Sequence, residues 1–193
     1  MKPACGSGCT RPCWLSCARL ACWTWRTRWW TPRTSAPSKG DLTGPGPVDR
    51  GRLGSKHHVI TDATGIPLAV ILTGGHRNDV TQLLPLLEAI PPIGGRRGRP
   101  RRRPGKVYAD RGYDHDSYRR LLRERGITPV IARRGTGHGS GLGRRRWVVE
   151  RTLAWLHGFR RLRTCYERRA DTHHAMLSLA CSIICLRNLP TLP

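Results

Sequence analysis

The stretch Lys106-Val-Tyr-Ala-Asp-Arg-Gly-Tyr113 decides the fold that the sequence predicts. Its first residues include β-branched Val107 and aromatic Tyr108, a composition typical of a short buried strand. The strand ends in a carboxylate, Asp110, and Gly112 follows in a turn. Because sites in open α/β sheets lie at the carboxyl edge of the strands, the pattern predicts that Asp110 is delivered to such an edge.

A second acidic residue, Glu150, lies in a segment with helical spacing, Arg144–Leu162. The apolar residues available for burial on this helix are Val148, Leu153, Trp155, Leu156 and Phe159. A strand carboxylate and a helix carboxylate in a very basic chain indicate a divalent metal site that acts on nucleic acid. An ion pair between Glu150 and the surrounding arginines is the simpler alternative.

The charge of the chain points to a polyanionic partner. The 193 residues carry 35 Lys+Arg against 12 Asp+Glu, a formal net charge of +23. Such an excess attracts nucleic acid first through its phosphates, although a GC-rich genome also favours arginine codons.

The sequence shows no apolar run of the ~20 residues that a membrane helix needs. It also shows no signal peptide, so we expect a cytoplasmic protein without a membrane partner.

The segment 1–39 differs from the rest of the chain. Five of the eight cysteines and five of the seven tryptophans fall within it. A zinc module is one interpretation, but Cys5, Cys9, Cys13 and Cys17 repeat every four residues, whereas structural zinc sites pair their ligands. A disulfide framework fits less well, since nothing marks the chain as secreted.

A third interpretation of the segment 1–39 is translation out of phase, which converts GC-rich leucine codons into Cys and Trp codons. Trp has a single codon, so Trp30-Thr31 read in the shifted phase gives Val-Asp. A buried strand ending in Asp then appears where the written chain has two tryptophans and a threonine. The sequence favours this interpretation, with the phase restored near residues 37–39, and the coding DNA would test it.

Beyond residue 40 the pattern alternates strands and helices. A β-hairpin is predicted with strands at about His58–Thr61 and Pro67–Leu72 and with Asp62 in the turn. A helix follows over Val80–Ala89, capped by Asn78 or Asp79. Its inward residues are expected to be Leu83, Leu84, Leu86 and Leu87.

The second half continues the same alternation. A helix is predicted over Ser117–Arg125, capped by Asp114 or Asp116, and a strand over Ile127–Ala132. A final apolar helix spans Thr172–Arg187, where we expect Cys181 and Cys185 in the core and His173 and His174 at the surface. The order of elements predicts an α/β protein with a mixed sheet flanked by helices.

Four blocks, Gly54–Val70, His76–Asp79, Tyr108–Asp114 and Arg146–Leu162, resemble those of bacterial insertion-sequence transposases of the DDE class. The resemblance implies an RNase-H-like mixed sheet flanked by helices, with residues 40–189 as the catalytic core. It leaves 1–39 as an aberrant Cys/Trp/Arg-rich segment, which we expect to be poorly ordered, and a fold that is incomplete at the N-terminus.

The resemblance assigns roles to both acids: Asp110 matches the second catalytic Asp and Glu150 the catalytic Glu, as ligands of Mg²⁺ or Mn²⁺. The first Asp belongs on a strand before residue 40, where the written chain has Trp30-Thr31, so we expect this copy to be inactive. In the pattern Y-x2-R-x3-E-x6-K, Arg146 and Glu150 match, whereas Gly143 and His157 replace the Tyr and Lys.

DNA, as transposon ends and target, is the partner that the resemblance implies, with a homodimer in the DNA complex as one arrangement. Lys56, His57 and His58 are candidates for phosphate contact, and solvated loop residues are the alternative. The full set of expected DNA-binding residues is Lys56, His57, Arg111, Arg146, Arg151, Arg160 and Arg161. The competing interpretation of the whole chain is a non-catalytic, basic nucleic-acid-binding protein.

Overall fold

The computed structural model describes residues 22–30, 42–46, 53–94, 100–135, 143–163, 167 and 169–188, with the backbone alone at 22–30 and 143–146. The strands are β1 (Cys22–Trp30), β2 (Gly44–Pro45), β3 (Leu53–Thr61), β4 (Pro67–Gly74), β5 (Lys106–Ala109) and β6 (Thr128–Ile131). The helices are α1 (Leu83–Glu88), α2 (Asp116–Glu124), α3 (Gly143–Gly158), α4 (Arg160–Arg163) and α5 (Ala170–Arg187). Short 3-10 turns cover Asp79–Gln82 and Arg111–Tyr113.

The strands form one mixed sheet in the order β4-β3-β1-β5-β6, with β2 paired to the start of β3. Strand β3 is antiparallel to both β4 and β1. Strands β1, β5 and β6 are parallel, so their carboxyl ends meet at one edge. The mixed sheet predicted from the order of elements is therefore confirmed.

The sheet is covered by helices on both faces, because neighbouring residues of a strand point to opposite sides. Ile60 packs with α1, α2, Val107 and Ala109 in one core cluster. Val59 packs with α3, α4 and α5 in the other. Burial of Val148, Leu153 and Leu156 in α3 is as predicted, and Trp155 and Phe159 are half-buried against the same cluster.

Strand β1 lies inside the segment 1–39. Cys22–Trp30 fills the position between β3 and β5, where the sequence predicted an incomplete N-terminus and poor order. The rest of 1–39, including Thr31 and the four cysteines before Cys22, lies outside the described residues. The domain boundary at residue 39 stays a prediction.

The hairpin turn between β3 and β4 is held by Asp62. Its Oδ1 accepts hydrogen bonds from the backbone N–H groups of Thr64 at 2.8 Å and Ile66 at 2.9 Å. Gly65 has φ of +86°, a left-handed conformation that glycine adopts without steric cost. The turn role expected for Asp62 is confirmed.

Three local predictions need correction. The helix predicted over Val80–Ala89 begins as a 3-10 turn and continues as α1, while the cap by Asn78, one of the two predicted caps, is confirmed. The cap residue of α2 is His115, because the Asp114 carboxylate bonds elsewhere. His173, expected at the surface, is 3% exposed because α5 packs it against the sheet.

The C-terminal helix α5 supplies core residues to one layer. Cys181 is buried and Cys185 half-buried, as predicted, and burial raises the pKa of the Cys181 thiol to about 12. Among the helices of the described residues, none is long and apolar enough to cross a lipid bilayer.

Candidate active site

Asp110 stands at the carboxyl end of β5, the strand flanked in parallel by β1 and β6. The side chain is exposed, and its Oδ1 accepts a 2.7 Å hydrogen bond from the Arg111 amide. Val107 and Ala109 point into the core beneath α1 and α2. Because the backbone at Asp110 is still extended, alternation directs this carboxylate to the opposite face, which α3 covers.

The loop that carries Asp110 is fixed by Asp114. This carboxylate pairs with the guanidinium of Arg119 at 2.6 Å, and both side chains are buried to more than nine-tenths. It also accepts a 2.7 Å hydrogen bond from the Arg134 amide, which, with the Arg119 side chain, holds the pKa of Asp114 below its ordinary value. Arg119 reaches the Ile131 carbonyl at 2.8 Å, so the ends of β5 and β6 are tied together.

Glu150 is exposed on α3, which packs over β1 and β3. Val149 and Leu153 on the same helix are buried against the sheet. Next to Glu150, the Arg151 side chain donates to the Thr64 carbonyl, and the Thr152 hydroxyl donates to the Gly65 carbonyl. The hairpin turn thereby fixes the helix that presents Glu150, on the face of the sheet to which Asp110 is directed.

The third carboxylate of a DDE set is missing from β1. Cys22–Trp30 contains no Asp or Glu. The last parallel pair joins Trp25 to Ala109, so the register puts Arg26 at the level of Asp110. Thr31, the position to which the sequence assigned the lost Asp, lies outside the described residues.

Other acids do not replace it within the described residues. Asp62 is committed to its turn, and Asp41 and Asp49 lie outside the described ranges. No group of three or more His, Cys, Asp or Glu side chains in these ranges is arranged to hold a metal ion. The carboxylates of Asp110 and Glu150 are of the kind that suits a hard cation such as Mg²⁺, but they would provide two ligands where the resemblance implies three.

Two expected DNA-binding residues are buried, which removes them from the candidate set. Lys56 is 5% exposed, and its ammonium donates to Asp79 and to the Arg77 carbonyl, each at 2.7 Å. His57 is 2% exposed, and its Nε2 lies 2.8 Å from the Nε2 of His173. Their partners lie far away in the sequence, so local residue spacing could not predict that Lys56 and His57 are buried.

His58 is also buried. It lies 2.7 Å from the Thr73 hydroxyl, on the neighbouring strand of the hairpin, and burial lowers its pKa to about 4. The alternative of a solvated loop residue is therefore wrong for His58, as it is for Lys56 and His57.

The remaining predicted DNA contacts are arginines with different environments. Arg111 is half-buried beside Asp110, while Arg160 and Arg161 are exposed on α4. Arg161 pairs with Glu167 at 3.0 Å. The Arg151 guanidinium is held at the hairpin turn, and the Arg146 side chain lies outside the described residues.

Sequence reasoning missed an aromatic stack on α3. The Arg151 guanidinium lies 4.6 Å from the ring centroid of Trp147 and 4.8 Å from that of Trp155. The three residues follow one another at intervals of four, which is the spacing of neighbours on a helix surface. That spacing was visible in the sequence and predicts the stack.

Comparison with known proteins gives consistent matches. Residues 27–185 match the family described as transposase DDE domain. A putative transposase for insertion sequence element IS402 of Burkholderia cepacia is 63% identical over 162 residues, 84% of this chain and 72% of that protein. A transposase for insertion sequence element IS1106 of Neisseria meningitidis serogroup B is 31% identical over 126 residues, 60% of this chain and 40% of that protein.

A solved structure with a TM-score above 0.5 agrees at the level of the fold. A chain from the simian T-cell lymphotropic virus intasome in complex with PP2A regulatory subunit B56 gamma aligns with a TM-score of 0.52 and 14% identity, covering 90% of this chain and 50% of that chain. The BIV integrase catalytic core domain aligns with a TM-score of 0.44 and 14% identity, covering 84% of this chain and 81% of that chain. The RNase-H-like α/β fold predicted from the sequence is confirmed.

Proposed function

Since this chain belongs to the transposase DDE domain family, we propose that its function by descent is metal-dependent DNA strand cleavage and strand transfer for an insertion sequence. One observation carries the proposal. Asp110 ends the parallel strand beside β1, and Glu150 lies on the helix that covers the same face of the sheet. That arrangement supports the assignment of the two acids to the roles that the resemblance implies.

Asp110 and Glu150 are the residues of this chain that would hold the ion, Mg²⁺ or Mn²⁺, because both are exposed carboxylates. When bound, such ions activate the attacking oxygen and stabilise the leaving oxygen of a phosphodiester. The chain itself contributes position: Asp114 and Arg119 fix the loop at Asp110, and the hairpin turn fixes the helix at Glu150.

We propose further that this copy does not catalyse the reaction. In phosphoryl transfer, carboxylates neutralise and orient the ions, and β1 as written adds none to the pair formed by Asp110 and Glu150. A site with two carboxylates binds a divalent ion more weakly than a site with three, since each ligand contributes charge and geometry.

The partner in this proposal is DNA, and the support for it is electrostatic. The net charge of +23 favours phosphate contact, with Arg111, Arg160 and Arg161 as described candidates and Arg146 as a further prediction. Binding should weaken steeply with salt, because each neutralised phosphate releases counterions. A homodimer on DNA and a cytoplasmic location belong to the same proposal.

Two measurements test the function together. Mn²⁺ binding, followed by electron paramagnetic resonance, should show a weak site that Asp110→Asn and Glu150→Gln each abolish. Asp116→Asn, which removes an exposed carboxylate from α2, is the matched control and should leave Mn²⁺ binding intact. DNA cleavage with Mg²⁺ should be absent in the unaltered chain.

The outcomes separate the alternatives. Mn²⁺ binding unaffected by both substitutions, combined with salt-sensitive DNA binding, would favour a non-catalytic basic DNA-binding protein. Mg²⁺-dependent cleavage that Asp110→Asn removes would support the family chemistry and refute the inactivity of this copy.

A further inference from the structure

Helix α5 is apolar on its outer face as well as on the face that packs against the sheet. The inner face contributes four residues to the core cluster shared with α3 and α4: Leu177, Ala180, Cys181 and Ile184. From Thr172 to Leu186 the sequence contains no Asp, Glu, Lys or Arg, although the chain carries a net charge of +23. Because a helix that is apolar all round is normally buried all round, the outer face of α5 is expected to be covered by a partner.

The outer face is a stripe of four exposed residues, spaced by four, three and four positions. They are Ala175, Leu179, Ser182 and Leu186, and we call them the outer seam. Leu179 is 61% exposed and Leu186 65%, the highest values for large apolar side chains in the described part of the chain. On a helix this spacing forms a line about 16 Å long, of the kind along which two helices pack.

The outer seam alternates small and large side chains, so it is complementary to itself. Two copies can run antiparallel about a twofold axis that passes between residues 180 and 181. Ala175 then faces the partner's Leu186, and Leu179 faces the partner's Ser182. Each leucine meets a small residue, which lets the two helices interdigitate, whereas a parallel pair would set leucine against leucine and leave a void at the small residues.

The charges at the ends of α5 favour the same orientation. The first turn carries Asp171 and the last turn carries Arg187, and both residues are exposed. An antiparallel pair brings the acidic end of one helix beside the basic end of the other, whereas a parallel pair would place like charges and like helix dipoles together. Between these ends the outer seam has no ionised side chain, so the contact desolvates no charge.

From this pattern we propose that the outer seam is the contact surface for α5 of a second copy of the chain, packed antiparallel with twofold symmetry. Such a contact uses the same surface on both copies and closes at two, so it produces a dimer and not a fibre. One helix face buries less than the roughly 800 Å² per partner of a standard interface, so we expect dissociation in the micromolar range. This pairing goes beyond the proposed function, because it requires neither DNA nor a metal ion.

The chemistry of the outer seam favours a second copy over a lipid surface. Helices that lie on membranes carry Lys and Arg along the polar face and large aromatic residues on the other. The stretch from Thr172 to Leu186 has no Lys, Arg, Trp or Phe. Its small residues instead provide the holes into which leucines of a facing helix fit.

Sedimentation equilibrium of the whole chain, without DNA, tests the pairing. The dimer should strengthen as NaCl rises from about 0.1 M to about 0.5 M, because salt screens the repulsion between two copies of charge +23. Leu179→Arg should raise the dissociation constant more than about a hundredfold, since the contact would bury an unpaired charge. Leu53→Arg makes the same change at a 39% exposed leucine on β3 and should leave the dissociation constant unchanged.

An exchange of small and large residues tests the register of the two helices. Ala175→Leu should weaken the dimer roughly tenfold through overlap with the partner's Leu186. Leu186→Ala should weaken it by a similar factor of roughly ten through the lost contact. The double substitution again pairs a small residue with a large one, so it should recover most of the affinity.

Three results would overturn the proposal. A monomer at every salt and protein concentration would refute the pairing and leave the proposed function standing, since its metal and DNA measurements involve no residue of α5. A dimer that Leu179→Arg leaves intact would place the contact on another surface. Failure of the double substitution to recover affinity beyond that of the single variants would refute the antiparallel register.

Discussion

Asp114 is the residue on which the position of Asp110 depends. Its carboxylate forms an ion pair with Arg119 and accepts a hydrogen bond from the Arg134 amide, in a loop that was predicted only to cap a helix. Both side chains of the pair are buried, so the loss of one leaves the charge of the other unpaired and shielded from water. The sequence analysis offered Asp114 or Asp116 as a helix cap but did not predict which group Asp114 bonds, because the Arg134 amide lies 20 residues away.

We predict that Asp114→Asn lowers the free energy of unfolding by about 3 kcal/mol, since it leaves Arg119 without an anionic partner. Asp116→Asn is the control, because Asp116 and Arg133 form an exposed pair that contributes at most about 1 kcal/mol. Urea denaturation monitored by circular dichroism measures both. Equal, small effects of the two substitutions would contradict the assigned role of Asp114.

Residue identity predicted the position of Asp110 in the fold better than the exposure of the basic residues. Asp110 could be placed at a strand end because the apolar run stops there, and the structure agrees. Lys56 and His57 were expected at the surface because lysine and histidine usually are. Their buried partners, Asp79 and His173, lie 23 and 116 residues further along the chain, beyond the reach of local patterns.

At the scale of elements, β1 connects the hairpin to the parallel strands. The sequence analysis located a strand ending at Trp30-Thr31 only through the shifted phase. The alternation of the tryptophans at 23, 25 and 29 with polar residues in the written chain is itself a strand signal that it did not use. The structure has a strand at Cys22–Trp30, formed by the written residues. Its register is set by backbone pairing with Ser55–Thr61 and Lys106–Ala109, which no pattern within 1–39 could reveal.

The register predicts where a third carboxylate would complete the site. Arg26→Asp puts an acid at the level of Asp110, beside Val59, whose side chain packs in the core cluster of α3. We expect Arg26→Asp to tighten Mn²⁺ binding roughly tenfold, since carboxylates dominate affinity for hard cations.

Titration calorimetry with Mn²⁺ measures these affinities. Arg28→Asp makes the same charge change two positions further along β1 and serves as the control for simple electrostatics. A gain of the same size with Arg28→Asp would contradict the placement of the third carboxylate at the level of Asp110.

At the scale of the whole molecule, a buried histidine pair connects the sheet to helix α5. His57 on β3 and His173 on α5 share a 2.8 Å contact between ring nitrogens, so one must donate and the other accept. Burial lowers the pKa of His57 to about 3 and also lowers that of His173. Glu167 lies 4.0 Å from His173 and is the nearby group that opposes this shift.

The pair makes stability dependent on pH. Below the ordinary histidine pKa of 6.5, His57 is protonated in the unfolded chain but stays neutral in the folded one. The contribution of His57 to the free energy of unfolding is therefore fully present above pH 6.5 and is lost as the pH falls toward 3. We expect a loss of about 2 kcal/mol from His57 between pH 7.5 and 5. Urea denaturation across this range should show it.

The variant His57→Gln removes this titrating group and should lessen the decline by about 2 kcal/mol. The decline that remains comes from His58 and His173, whose pKa values burial also lowers. His76→Gln, at an exposed histidine, should retain the decline of the unaltered chain. An identical pH dependence in all three proteins would exclude the buried pair as its source.

The central place of β1 determines what would remain without it. Strand β1 fills the hydrogen-bonding edges of β3 and β5 at once, and both would open to solvent if Cys22–Trp30 were removed. The molecule would then comprise a hairpin sheet of β3 and β4 and a separate two-stranded sheet of β5 and β6, with Asp110 on one piece and the anchor of Glu150 on the other. Unpaired strand edges recruit other chains, so the shortened protein should aggregate in place of folding to a smaller version of itself.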